Sequence, residues 1–270
     1  IPLRLVGSEM CIRDRCDTYP DIQFVILSHS GVSFLSTDPY GITLMRQGGF
    51  LEQGRTNFHI AGNSTRMCNF FLRAYGMPCT FLPNLYYLDH TSGEIRPPFS
   101  GGTLKIGMFG APRPLKNSQN GAAGALIVAR DLKVPTELWI NANRHDGGPG
   151  ETAKIFRALR AMCDNVPGFE LKFYPWASWE EFRMFAESMH IGIQNSYTET
   201  FNMVTADLAS RGTCSVVSTA VRWAANEWKA DSDDPEDVAR VLVHLLKDPR
   251  APARGMLAPV SYTHLRAHET

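Results

Sequence analysis

Glu199 and Asp207 stand eight positions apart in NSYTETFNMVTADLASRG (195–212), a stretch otherwise small, apolar or neutral until Arg211. If the stretch is helical, that spacing is about two turns and sets the two acids near one face. A helix N-terminus also gathers unpaired N–H groups and the positive end of the macrodipole, which suit an anion such as a diphosphate. One acid near the helix start would then meet a sugar or its leaving group. The other, deeper in, would accept hydrogen bonds from ribose hydroxyls. The same pair is equally consistent with a Glu favoured by the dipole and an Asp on a solvated face. Upstream, GAPRPLKN (110–117) places Arg113 and Lys116 in one loop. A guanidinium fork beside an ammonium point charge can hold a pyrophosphate, although two basic loop residues often just face solvent. His29 closes the apolar run IQFVILSHS, and Trp176 closes FELKFYPW, where it could stack on a base or simply pack.

The surrounding patterns say what would position these residues. IQFVILSHS (22–30), NFHIAGN (57–63) and CTFLPN (79–84) read as strands, and STRMCNFFLRAYG (64–76) as a helix with a Ser/Thr start and a Gly stop. After a Gly/Pro-rich stretch at 90–102, read as an interdomain linker, a second alternating set begins. Strands are expected at 103–110, 136–143, 169–176, 190–195 and 214–219. Helices are expected at 122–133, 151–166, 178–189, 200–212 and 235–248, with Ser178 and Glu181 forming a capping box and Asp234 a cap. Strands alternating with helices imply parallel sheets, and a doubly wound domain binds ligands at the carboxyl ends of its strands.

Both ends read as translated sequencing-adapter DNA: LVGSEMCIRDR (5–15) and VSYTHLRAHET (260–270) are encoded by one transposase adapter and its reverse complement. The expected protein body is therefore about 16–259, an environmental gene fragment cut at both ends. Lys+Arg and Asp+Glu balance at 27 each, so no global basic field points to nucleic acid. Hydrophobic content of 44% supports a sizeable core, and no apolar run reaches membrane-span length. Cys16, Cys68, Cys79, Cys163 and Cys214 are odd in number and lack C-x-x-C spacing, which suggests reduced, structural thiols.

The stretch IGIQNSYTETFNMVTADLASRGTCSVVS resembles the donor-site motif of retaining GT-B glycosyltransferases of the family 4, or group 1, type. Ser196, Glu199, Phe201, the acid at Asp207, Ala209, Gly212 and Val216-Val217 match that motif. Thr200 and Asn202 stand where the family has glycines, Asp207 replaces Glu, and Ser215 replaces Pro. LKIGMFGAPRPLKNSQN resembles the family's diphosphate loop, with Lys116-Asn117 matching, Ala111 where an Arg is usual, and Arg113 as its substitute. NFHIAGNSTRMCNFFLRAYGMPCTFLPN resembles the end of the acceptor domain, and FVILSHSG an earlier strand whose histidine points at the donor sugar.

The resemblance implies an α/β, GT-B fold: two Rossmann-like doubly wound domains, the N-terminal one truncated. It sets an acceptor-side domain at 16–99 and a nucleotide-sugar-binding domain at 100–259, flanked by the tails 1–15 and 260–270. It implies hexosyl-type transfer from a nucleotide diphosphate sugar to an acceptor hydroxyl with retention, without a metal ion or cofactor. Glu199 and His29 would be catalytic; Arg113, Lys116, Thr200, Phe201, Asn202 and Asp207 would bind the donor. The acceptor would be a glycan, a lipid-linked or a small molecule, with no nucleic-acid partner, in the cytoplasm or peripherally at a membrane. The rivals are an epimerase or phosphorylase on the same fold, and a non-catalytic nucleotide- or glycan-binding relative or inactive fragment. An NAD-binding protein is disfavoured because GMFGAPRP lacks G-x-G-x-x-G.

Overall fold

A computed structural model describes residues 8–36, 39–52, 54–86, 95–141, 149–256, 258–259 and 262. The expected strand end at 142–143, the first half of the linker (90–94) and nearly all of the C-terminal tail lie outside the described residues. The chain forms two compact units, one of the described residues up to Asn84 and one of those from Leu85 onward.

The first unit runs α1 (Ser8–Thr18), β1 (Phe24–Ser28), α2 (Pro39–Glu52), β2 (Phe58–Gly62), α3 (Thr65–Tyr75) and β3 (Thr80–Phe81). Its strands pair in parallel in the order β1-β2-β3. The core beneath them gathers Met45, Phe58, Ile60, Met67 and Phe71, with Cys16 at the end of α1. Helix α1 thus begins inside the segment read as a tail. Gly76 ends α3 at φ 65°, its N–H donating to Leu72 O, as the Gly stop implied. Helix α2 was not expected, because Gly41, Gly48 and Gly49 argue against a helix. Gly48 and Gly49 serve packing instead: a Cβ on Gly48 would come within 2.8 Å of Ile60 Cγ2, and one on Gly49 would meet Met77.

The second unit adds β4 (Leu104–Met108), α4 (Ser118–Leu132), β5 (Thr136–Asn141), α5 (Pro149–Cys163), β6 (Phe169–Tyr174), α6 (Trp179–Ala186) and β7 (Ile191–Gln194). It continues with α7 (Met203–Ser210), β8 (Ser215–Ser218), β9 (Lys229–Ala230), α8 (Pro235–Lys247) and α9 (Ala251–Met256). All strands are parallel in the order β6-β5-β4-β7-β8-β9, the doubly wound order. Strands β7 and β8 are buried along their whole length, which explains why they read as continuous rather than alternating runs. Helix α7 is buried at every position from Thr205 to Ser210, hence its small residues. The capping box of α6 and the Asp234 cap of α8 both form as the sequence implied.

This unit begins at Leu85, not at the residue 100 suggested by composition. Hydrogen bonding and burial decide it. Tyr86 lies in the main core, Arg96 N–H donates to Gly212 O at 3.2 Å, and Phe99 N–H to Leu246 O at 2.9 Å.

Candidate functional site

In the doubly wound order the chain leaves β4 toward β5 on one side, while β7 lies on the other. The loops after β4 and β7 therefore part at the switch point, where open α/β sheets bind ligands. Backbone bonds fix both loops. Gly110, at φ 106°, donates its N–H to Asn141 Oδ1 at 2.8 Å. Tyr197 N–H donates to Leu115 O at 2.9 Å, tying one loop to the other. Asn117, in the left-handed region at φ 55°, donates its amide to Asn195 O at 3.1 Å and to Ser232 O at 2.5 Å. Asn120 and Asn195 also donate to Ser232 O, so the carbonyl of one loop residue ties the start of α4 to the end of β7.

Lys116 closes a 3-10 turn over Pro114–Lys116, started by Arg113, whose carbonyl accepts from Lys116 N–H at 2.9 Å. Its ammonium reaches Glu199 Oε1 at 2.5 Å, with the Glu199 side chain only 9% exposed. Asn202 Nδ2 donates to the same oxygen at 2.9 Å and to Gln194 Oε1 at 3.2 Å, and Gln194 Nε2 donates to Phe109 O at 2.7 Å. A continuous hydrogen-bonded network thus crosses from the β4 loop to the β7 loop. Asn202 sits at φ 67° and caps α7, its Oδ1 accepting from Thr205 N–H at 2.9 Å. It therefore supplies the left-handed backbone for which a glycine would serve, and adds a cap that glycine lacks. Thr200 is half-buried and is not among the positive-φ residues, so its position does not require glycine.

The helix begins at Met203, so Glu199 belongs to the loop and the two-turn spacing of the acids does not operate. The left-handed turn at Asn202 separates them. Glu199 joins the Lys116 network, whereas Asp207 lines a cavity of about 310 Å³ with Gly110, Asn141, Trp176, Trp179 and Met203. Asp207 is 4% exposed. Its Oδ1 accepts from Tyr86 Oη at 2.8 Å and from Trp179 Nε1 at 3.0 Å. Burial pushes its carboxyl above the ordinary carboxylate range, against the pull of those two donors and of Arg183 and Arg211. Asp207 is thus an interior acid rather than one on a solvated face.

Phe201, expected to touch the donor, turns its side chain into the core. Its ring is buried between Tyr86, centroids 6.1 Å apart, and Trp223, 5.6 Å apart. Its carbonyl accepts from Trp223 Nε1 at 2.5 Å, so the side chain anchors the loop. Trp176 and Trp179 are 45% and 47% exposed at the cavity and offer aromatic faces. In the first unit, His29 follows β1 and its Nδ1 lies 3.1 Å from Asn63 Nδ2, which also donates to Asn84 Oδ1. Three polar residues thus meet at the carboxyl ends of β1, β2 and β3. Among the described residues no cluster of three or more His, Cys, Asp or Glu is arranged to hold a metal ion, and no helix is long and apolar enough to cross a membrane.

Sequence reasoning missed Tyr86, Trp179, Gln194, Asn195 and Asn141. The one local signal was the position of Gln194 and Asn195 at the end of a strand flanking the switch point; nothing in sequence ties Tyr86 to Asp207, 121 positions away.

The fold so defined is the α/β fold of the GT-B glycosyltransferases. Its structural likenesses include a UDP-forming α,α-trehalose-phosphate synthase from Burkholderia xenovorans, with TM-score 0.68, 11% identity, 96% of this chain and 68% of that chain covered. HepE from Anabaena, in complex with UDP and glucose, aligns at TM-score 0.63 and 12% identity over 96% of this chain and 71% of its own. WaaG, a glycosyltransferase of lipopolysaccharide biosynthesis, aligns at 0.64 and 12% over 94% and 76%. At such identity the likeness is one of fold. No family model matches the chain, and no curated protein matches it.

Proposed function

We propose that this chain acts as, or within, a retaining GT-B glycosyltransferase of the family 4, or group 1, type. It would move a hexosyl group from a nucleotide diphosphate sugar to an acceptor hydroxyl. The observation that carries the reading is the meeting, at the β4/β7 switch point, of a cation, an acid and a tryptophan-walled cavity. That cavity has an interior carboxylate, Asp207, on its wall. A nucleoside fits the cavity: the two tryptophans offer stacking faces, and Asp207 accepts from ribose hydroxyls. The diphosphate then lies toward Lys116, Arg113 and the first turn of α7. As the sugar–phosphate bond breaks, negative charge grows on the diphosphate, and these groups stabilise it without reorganising. Glu199 orients the donor sugar, and departure and attack share one face, so no protein nucleophile is named. The leaving charge is met by the protein's own cations, and the reading calls for no metal ion or cofactor. His29 stands on the acceptor side; the acceptor is a glycan, a lipid-linked or a small molecule. We place the reaction in the cytoplasm or peripherally at a membrane, with the N-terminal domain incomplete and both tails adapter-derived.

Calorimetric titration of the chain with UDP, GDP and ADP tests this. One nucleotide is expected to bind at micromolar affinity, and Lys116→Ala to weaken it by the ~1.5–3 kcal/mol of a charge-assisted hydrogen bond. Absence of binding by the folded chain would overturn the reading. Transfer from a radiolabelled donor separates an enzyme from a non-catalytic binder of the same nucleotide.

A further inference from the structure

The cavity wall contains an arrangement that nucleotide binding alone does not call for. The carboxylate of Asp207 is engaged by the chain itself, and both engagements fall on the same oxygen. Tyr86 Oη donates to Oδ1 at 2.8 Å and Trp179 Nε1 donates to it at 3.0 Å. An indole N–H can only donate, so the Trp179 contact fixes the direction of its bond. The Tyr86 hydroxyl has Ser210 Oγ as its second neighbour at 3.2 Å, and Ser210 Oγ in turn donates to Asp207 O at 2.8 Å. The donors come from separate elements: Tyr86 from the segment before β4, Trp179 from the first position of α6. Arg183, also on α6, stacks its guanidinium over the Trp179 ring at 4.3 Å.

Resting on the donor-site reading above, we infer that Tyr86 and Trp179 are positioning residues that clamp Oδ1 of Asp207 and present its other oxygen to the cavity as a hydrogen-bond acceptor for ribose hydroxyls. The clamp does two things. It fixes the carboxylate plane, so the acceptor is oriented before the ligand arrives. It also supports the ionised form in a place where burial opposes it, since hydrogen bonds to a carboxylate favour its charge. The charged or titratable groups facing Asp207 are Tyr86, Arg183 on α6 and Arg211 after α7, and Arg211 is paired with Glu187 at 2.7 Å. Tyr86 is itself held protonated by burial and by the Asp207 charge, so it stays a donor.

The sign of the pH effect follows. Removing a donor destabilises the carboxylate, so Asp207 takes up a proton at higher pH and there accepts from the ligand only as a weaker, neutral acid. Trp179→Phe and Tyr86→Phe keep an aromatic ring and delete one donor each. The experiment titrates the wild-type chain and both variants with UDP, GDP and ADP from about pH 5 to about pH 8, the window above the ordinary carboxylate value. Thermal melts confirm that each variant is folded, and the half-exposed site of Trp179 makes its variant the tolerant one. Expected is an affinity loss on the acid side that begins at higher pH in both variants. At the acid end it should reach about tenfold beyond wild type, the worth of one hydrogen bond to a charged group, and shrink toward pH 8. Variants that weaken binding by one factor at every pH, or not at all, overturn the clamp and leave the donor site standing. If the wild-type chain binds none of the nucleotides even at the alkaline end, the donor-site reading fails and the clamp falls with it.

Discussion

Lys116 and Glu199 form an ion pair across the two loops at the switch point, where the proposed diphosphate would lie. Glu199 holds the Lys116 ammonium at 2.5 Å, so an arriving diphosphate competes with a carboxylate for the same cation. Neutralising the competitor should help: Glu199→Gln is expected to tighten nucleoside diphosphate binding severalfold while lowering sugar transfer, measured by calorimetry and by radiolabel transfer. Weaker diphosphate binding in that variant would contradict the competition. Asp207 supplies a second residue-scale expectation. Its carboxyl is held above the ordinary range by burial, so the folded chain binds a proton there more tightly than the unfolded chain does. Stability from this site is full below the ordinary carboxylate value and is lost as pH rises through the folded one. Asp207→Asn should therefore raise the melting temperature at neutral pH, with the gain vanishing in acid; a gain that persists in acid would refute the account. The resemblance singled out Glu199 and Asp207, but nothing in the sequence pairs Glu199 with a lysine 83 positions away.

Helix α7 shows why an element's first residue matters more than its propensity. Asn202 combines a left-handed backbone with a side-chain cap. Asn202→Gly keeps the left-handed backbone and should lose only the side-chain cap, on the order of a few tenths of a kcal/mol. Asn202→Ala should lose the cap, about 0.5–2 kcal/mol, and also the local side-chain bonding that lets Asn hold the left-handed backbone, about 1–2 kcal/mol more. Equal denaturant midpoints for the two variants would show that the backbone conformation carries no cost. The helix as a whole was legible from its small, apolar sequence, and its seat on the sheet depends on Gly192, where a Cβ would come within 2.6 Å of Leu208 Cδ1. Helix α2 was illegible for the opposite reason: its glycines forbid confidence locally and make sense only against Ile60 and Met77.

At the scale of the molecule, every residue of the proposed nucleotide site belongs to the second unit, including Tyr86. A fragment of residues 85–259 should bind the nucleotide as the full chain does, yet transfer no sugar. A fragment of residues 100–259 should bind more weakly and melt lower. It lacks the Tyr86 hydroxyl and the backbone bonds made by Arg96 and Phe99. Indistinguishable affinity and melting for the two fragments would mean that residues 85–99 contribute nothing to the unit. A boundary drawn from Gly/Pro composition falls too late, because composition reports chain flexibility and not which side a tyrosine packs on.

The alternation of strands and helices from β4 to β8 and the caps of α6 and α8 were written in local periodicity and turn chemistry, which act over a few residues. The tertiary structure alone decided the pairing of Lys116 with Glu199, the seating of Phe201 in the core, and the convergence of Tyr86, Trp179 and Asp207 on one cavity. These contacts join residues distant in sequence: the pairing of β4 with β7 brings Lys116 to Glu199, and the packing of α6 on α7 brings Trp179 to Asp207.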